Sequence, residues 1–317
     1  MNGSGNKLRC LVMGGAGFIG SHLVDSLVNA SHQVRIFDRP HISRENIERH
    51  PLVEIVQGDL ANADEVGDAL DGCDICFHLI STTLPKSSNG DIVYDIESNL
   101  VATARMLGKA VEHKVKKVVF LSSGGTVYGF PRRLPIEESH PTNPVCSYGI
   151  TKLAIEKYLE LFHHLHQLKY TVLRLSNPYG ERQRTSGSQG AVAVFLGKTL
   201  SREPVEIWGD GSVVRDYVHI SDVASALMKC IDHGDGQILN IGSGIGLTLN
   251  QVLDGIERVT GIPSIRIYKE SRDFDVPRSI LSIEAARRAL KWEPEVEFHS
   301  GLRKMVDWLD NSKLNKY

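Results

Sequence analysis

An apolar run, Leu8 to Met13, leads straight into GGAGFIG, where Gly14, Gly17 and Gly20 stand three residues apart and a helical pattern opens at Phe18. A glycine at the first position permits a tight strand-to-helix turn, the second lets backbone N–H groups approach a pyrophosphate, and the third allows close packing of helix on strand. Phe18 and Ile19 begin that helix, so its N-terminus would receive the phosphate. A purely structural turn can use the same glycines, but Asp38 ends the next strand about 20 residues later, where a carboxylate accepts from ribose hydroxyls. Together they predict a dinucleotide site. The charge of Asp38 repels a 2'-phosphate and favours NAD, whereas Arg39 directly behind it leaves room for NADP. Asp59 and Leu60, in GDL after the third strand, fall where a loop would border an adenine ring, although Asp59 also suits a helix N-cap.

The first half continues the alternation. Strand candidates follow at Gln33 to Asp38, Val53 to Gln57, Asp74 to Leu79, Lys117 to Ser122 and Thr171 to Ser176, with helical patterns at Phe18 to Ala30, Ala63 to Leu70, Ile96 to Glu112 and Ser147 to His166. This predicts an α/β fold: a Rossmann-type doubly wound parallel sheet over residues 1–176. After Asn177 the alternation becomes irregular and loop-rich, with helices read only at Leu247 to Thr260, Ile283 to Leu290 and Phe298 to Leu309. Residues 177–317 are therefore expected to form a smaller, mixed α/β substrate-binding domain, able to exchange segments with the first.

At 317 residues the chain suits one nucleotide-binding domain plus a smaller appendage. Apolar residues make up 41% and charged ones 23%, and the net charge of -2 gives no field that would recruit nucleic acid or an anionic membrane. No stretch approaches the roughly 18 to 20 apolar residues of a membrane span, and MNGSGNK lacks the apolar core of a signal peptide, so a cytoplasmic location is expected. The cysteines Cys10, Cys73, Cys76, Cys146 and Cys230 are scattered and read as free thiols. Cys73 and Cys76 form a CxxC, but Cys76 begins the strand-like CFHLI and no second pair stands at metal spacing. His163, His164 and His166 lack acidic partners, and no metal site is expected.

The segment SYGITKLAIEKY places Tyr148 and Lys152 four residues apart at the start of a long helical pattern, so both side chains project from one face. A cation beside a phenol stabilises the phenolate and is expected to bring the Tyr148 pKa down from about 10 toward working pH. Tyr148 then serves as general acid and base on a hydroxyl while a hydride moves to nicotinamide. YxxxK also arises by chance on helices. A second polar cluster, SSGGTVYG, ends the strand at Lys117 to Ser122, and strand C-termini are where open α/β sheets bind ligands, so Ser122, Ser123 and Thr126 should face the same crevice.

With RLSNPYGERQ, GDGSVVRDYVHISD and ESRDFDVPRS further on, the sequence resembles the extended short-chain dehydrogenase/reductase family, and within it the nucleotide-sugar epimerases and dehydratases, over nearly its whole length. The resemblance implies that Tyr148 and Lys152 carry catalysis and that Lys152 also holds the nicotinamide ribose. The family usually carries a Ser or Thr three residues before the Val of VYG, where this chain has Gly124; Thr126 is the first candidate to replace that hydroxyl and Ser123 the second. His78 and Asn99 stand where the family lines the cofactor or braces a strand.

On the substrate side the resemblance assigns Asn177 to the phosphate-linked sugar, Arg215 and Arg272 to the diphosphate, and Gln189, Val192 and Trp208 to the neighbourhood of uracil. Two guanidiniums on one diphosphate make chemical sense, although Asp216 and Asp273 next door would also make surface ion pairs of them. The loop Arg182 to Arg184 reads equally as a hexose contact or a solvated basic loop. The implied activity is NAD-dependent 4-epimerisation of a UDP-hexose, of the UDP-glucose/UDP-galactose type or its N-acetylated or uronic acid form, by a homodimer. Uronate decarboxylation, 4,6-dehydration and a non-catalytic NAD(H)-binding regulator are the alternatives. Dehydration would need an Asp and a Glu after a catalytic Thr, a stretch that here reads Gly124, Gly125 and Thr126.

Overall fold

A computed structural model of the chain describes residues 7–186, 190–271 and 276–314. The first half runs β1 (Arg9–Met13), α1 (Phe18–Asn29), β2 (Gln33–Asp38), β3 (Val53–Gln57), α2 (Ala63–Leu70), β4 (Ile75–His78), α3 (Ile92–Asp95), a π-helical turn (Ile96–Val101), α4 (Ala102–Glu112), β5 (Lys117–Ser123), α5 (Ser147–His166) and β6 (Lys169–Leu175). The second half runs β7 (Asn177–Tyr179), α6 (Ala191–Leu200), β8 (Val205–Trp208), β9 (Val214–His219), α7 (Ile220–Lys229), β10 (Gln237–Ile241), β11 (Gly246–Thr248), α8 (Leu249–Thr260), β12 (Arg266–Lys269), β13 (Arg278–Ser279), α9 (Glu284–Leu290) and α10 (Phe298–Leu314).

Seven strands form one all-parallel sheet in the order β10-β6-β5-β4-β1-β2-β3. Parallel neighbours need crossover connections, which put helices on both faces and leave the strands apolar throughout. Successive residues of β1 accordingly enter different cores. Val12 packs with Leu23 and Leu27 of α1 and with Leu227 of α7. Leu11 packs with Val66 of α2, Leu107 of α4 and Leu159 of α5. This is the Rossmann-type fold the alternation predicts. The sheet takes its seventh strand, β10, from beyond residue 176, and α7 and α9 from that half cover the same core through Val223 and Leu290.

A smaller body has its own core, built from Val192 and Leu196 of α6, Ile207 of β8, Tyr217 of β9, Ile256 of α8 and Leu302 of α10. Its strands form one small sheet of β7, β9, β11 and β13 and a parallel pair of β8 and β12.

Two sequence expectations need correction. The helix expected from Ile96 starts at Ile92 and passes through the π-helical turn before α4. The stretch after Asn177 is less irregular than it reads, because β9, with sequence VRDYVH, is buried at five of its six residues. Asp216 inside it is 1% exposed and accepts from the backbone N–H groups of Ser243, Gly244 and Leu281. A carboxylate tolerated in a strand because it gathers amides from two loops has no signature in sequence. Among the described residues no helix is long and apolar enough to cross a membrane.

Candidate active site

The order of the main sheet reverses between β1 and β4, and a cleft of about 820 Å³ opens over the C-terminal ends of the strands there. Open α/β sheets bind ligands at such points, because the flanking loops diverge to opposite faces. One wall carries Phe18 and Ile19, Ser81 and Thr83 from the loop after β4, Ser122 and Ser123 at the end of β5, and Tyr148 and Lys152. The other carries Asn177, Val192, Lys198, Trp208 and Arg215.

The turn at the start of α1 is as tight as the glycines imply. A Cβ on Gly20 would lie 2.1 Å from the Gly14 carbonyl oxygen and 2.7 Å from Gly15 Cα. Gly17 caps α1 without a side chain and no acid stands in the first turn, so the N–H groups there are left for an anion. Asp38, 6% exposed, accepts from the N–H groups of Ala16 and Arg39, each at 3.1 Å. It lines a crevice with Ala16, Ile36, Arg39 and Ile42, and burial raises its pKa. Amide donors for a pyrophosphate, with a carboxylate retaining lone pairs for vicinal hydroxyls, fit a nicotinamide dinucleotide.

The helix bearing the Tyr–Lys pair is started from another segment. Its N-cap, Cys146, contributes no side-chain bond. Instead Asn89 Oδ1 accepts from Ser147 N at 2.9 Å and Ser88 Oγ from Tyr148 N at 3.0 Å. Lys152 Nζ donates to the Leu121 carbonyl at 2.9 Å and stands 5.5 Å from the centre of the Tyr148 ring. The electrostatics differ from the sequence expectation. Burial pushes the Tyr148 phenol up to about 12, with the nearby Ser81 hydrogen bond opposing and Cys146 and Asp95 reinforcing the rise. Burial pushes Lys152 down to about 8, against the pull of Asp95 and Glu156. In the protein alone burial sets the direction of the shift, and the phenol is the stable form of Tyr148.

The missing hydroxyl at residue 124 has a steric cause. A Cβ on Gly124 would lie 2.5 Å from Leu281 Cδ1 and 3.1 Å from the Arg174 carbonyl oxygen, so Leu281, buried at 1% exposure, fills the space a Ser or Thr would need. Of the two replacements, Ser123 lines the cleft. Thr126 is not among the lining residues; its Oγ1 is buried and finds no hydrogen-bond partner among the described residues.

Other expected residues lie elsewhere. His78 is buried, with Nε2 2.9 Å from Thr103 Oγ1, and burial pushes its imidazole down to about 3, so it is neutral and in the core. Asn99 braces the loop after β4 by accepting from Thr82 N at 2.9 Å. Asp59 is exposed and accepts from Ala61 N, while Leu60 joins the core. Arg182 pairs with Asp25 at 2.6 Å, leaving Gln183 as the member of its loop that reaches the cleft. Arg215 donates to the carbonyls of Val214 at 2.9 Å and Val276 at 2.6 Å, and Asp216 is engaged with backbone amides rather than paired with it. Gln189 and Arg272 lie outside the described residues. Ser81 and Thr83 also line the cleft, and their segment ISTTLP follows a strand end as directly as SSGG does; Lys198 has no sequence signal, since only packing turns that face of α6 to the cleft.

Comparison with known proteins adds three findings. A model of the NAD dependent epimerase/dehydratase family matches residues 10–242. The chain is similar to a UDP-glucose 4-epimerase of Mycolicibacterium smegmatis, 36% identical over 310 residues that cover 96% of this chain and 99% of the relative. It superposes on the crystal structure of a UDP-glucose 4-epimerase with UDP-glucose from Thermotoga maritima, with a TM-score of 0.92 and 35% identity, covering 96% of this chain and 100% of that one. A UDP-glucose 4-epimerase of Thermus thermophilus in complex with NAD gives 0.90 and 33%, with the same coverage.

Proposed function

The chain belongs to the NAD dependent epimerase/dehydratase family, and from that premise we propose that it inverts C4 of a UDP-hexose through a 4-keto intermediate. One observation carries the reading: Tyr148 and Lys152 open into the same cleft as the N-terminus of α1 and as Arg215 and Trp208. The first-turn N–H groups of α1 and the carboxylate of Asp38 hold NAD, which supplies a hydride acceptor and donor and a fixed positive charge. Tyr148 takes the proton from the 4-hydroxyl and returns it after the sugar has presented its other face. Lys152, held by the Leu121 carbonyl, supplies the charge that favours phenolate. Ser123 hydrogen-bonds the reacting oxygen in place of a hydroxyl at residue 124. Arg215 and Asn177 take the diphosphate end, with Trp208 and Val192 beside the base.

Incubation with UDP-galactose, UDP-N-acetylglucosamine and UDP-glucuronate, followed by proton NMR, tests this. The expected product is a C4 epimer of at least one of them, with Ser123→Ala lowering kcat about 10²-fold and Thr126→Ala leaving it near wild type. A deoxy-keto sugar, a pentose or no product at all would exclude epimerisation.

We also propose a homodimer. Ile92, Val93, Tyr94 and Ile96 are exposed on α3 and the turn beyond it, Val93 at 64%, and α5 exposes Ile150, Tyr158, Leu161 and Leu165 at helical spacing. Contiguous apolar faces of this kind mark interfaces. Light scattering should give twice the chain mass, and Leu161→Glu with Leu165→Glu should yield monomers; a monomeric wild type would refute the proposal. The unpaired state of all five cysteines suits the reducing cytoplasm we assign to it.

A further inference from the structure

We propose that Asp95 is the positioning residue of this site, tying the first turn of α5, which carries Tyr148 and Lys152, to the loop after β4, which brings Ser81 and Thr83 into the cleft. The proposal rests on the epimerase reading. Asp95 closes α3 and is 0% exposed. Its Oδ2 accepts from the Ser147 hydroxyl at 2.6 Å and the Thr151 hydroxyl at 2.8 Å. Its Oδ1 accepts from the Thr83 hydroxyl and, at 3.1 Å, from Asn99 Nδ2.

The spacing on α5 gives the contact its consequence. Ser147 and Thr151 each stand one residue before a member of the pair, so two hydroxyls four apart anchor the stripe beside the one that Tyr148 and Lys152 form. Asn99 carries the hold onward, donating to Thr82 Oγ1 at 2.7 Å. Neither the pair nor the loop can shift without breaking bonds to the same carboxylate.

Buried carboxylates ordinarily pair with a cation, yet the partners of Asp95 are hydroxyls and an amide, and no ion pair to it occurs among the described residues. Its charge is therefore left to act through space. The groups facing the pair are Asp95 from α3, Glu156 from farther along α5, Cys146 ahead of α5, His78 from β4 and the Ser81 hydroxyl. Asp95 favours the protonated forms of both Tyr148 and Lys152, which makes it a brake on early loss of the phenolic proton.

Asp95→Asn keeps the size of the side chain but removes the charge and replaces one accepting oxygen with an amide NH2, so the donors from α5 or those from the loop side lose their acceptor. In protein labelled at tyrosine Cζ, the NMR titration midpoint of Tyr148 should fall, because Asp95 is among the groups that raise it. In turnover, kcat should fall about 10-fold at little-changed KM, with both limbs of the pH profile moved to lower pH. A folded variant whose titration and pH profile superimpose on wild type would overturn the proposal. Should Asp95→Asn fail to fold, Ser147→Ala removes a single donor; a several-fold loss of kcat at constant KM supports the assignment, and an unchanged kcat refutes it. Wild-type protein that converts no UDP-sugar defeats the epimerase reading instead, while the Tyr148 titration still reports the hold of Asp95.

Discussion

Tyr148→Phe will lower kcat by about 10³-fold, equivalent to about 4 kcal/mol of transition-state stabilisation, while leaving UDP-sugar binding and NAD content close to wild type. The phenol ring packs in the cleft wall beside Lys152, and phenylalanine preserves that packing. What is lost is the oxygen to which the proposed proton transfer is assigned. Phenylalanine has no ionisable proton, so the variant should show no pH at which turnover recovers. Steady-state kinetics with bound nicotinamide measured spectroscopically separates the outcomes: unchanged kcat removes Tyr148 from the reaction, whereas loss of cofactor as well makes its role one of binding.

The second large effect is on stability. Arg174 in β6 is buried against Glu156 in α5, with Nη2 2.7 Å from Oε2 and Nε 3.1 Å from Oε1. Ser122 Oγ donates to Glu156 Oε1 at 2.5 Å, and Arg174 Nη1 reaches Tyr128 Oη at 2.9 Å, whose hydroxyl donates to Asn240 Oδ1 at 2.7 Å. The network binds β5, β6, β10 and α5 behind the cleft wall that carries Tyr148 and Lys152. Arg174→Met strands a fully buried carboxylate, and urea unfolding should show a loss of about 3–5 kcal/mol. Arg174→Met combined with Glu156→Leu should recover much of that loss, because the uncompensated charge goes with its partner. A single variant as stable as wild type would mean the ion pair contributes nothing net.

Much of the architecture was legible in the chain. GGAGFIG behind an apolar strand, Asp38 at the end of the next and a Tyr–Lys spacing of four are local patterns, set by turn sterics, helix geometry and the reach of one side chain, and the matching pieces of structure are where they were expected. The second half was less legible. QILNI and VRDYVH are short, and their burial as β10 and β9 depends on partners far away in the chain. The same holds for His78, which the family resemblance set against the cofactor or as a brace for a strand, and whose ring reaches Thr103 of α4.

Residue types at fixed spacing therefore specified the dinucleotide fold and set Tyr148 and Lys152 on one face of α5, because each rests on interactions within a few residues. Tertiary structure alone decided that Leu281 occupies the space beside Gly124, that burial raises the Tyr148 phenol, and that Asp95 gathers α5 and the loop after β4 onto one carboxylate. Those outcomes depend on exclusion of water and on groups tens of residues apart coming within bonding distance, and neither is encoded in any local run of amino acids.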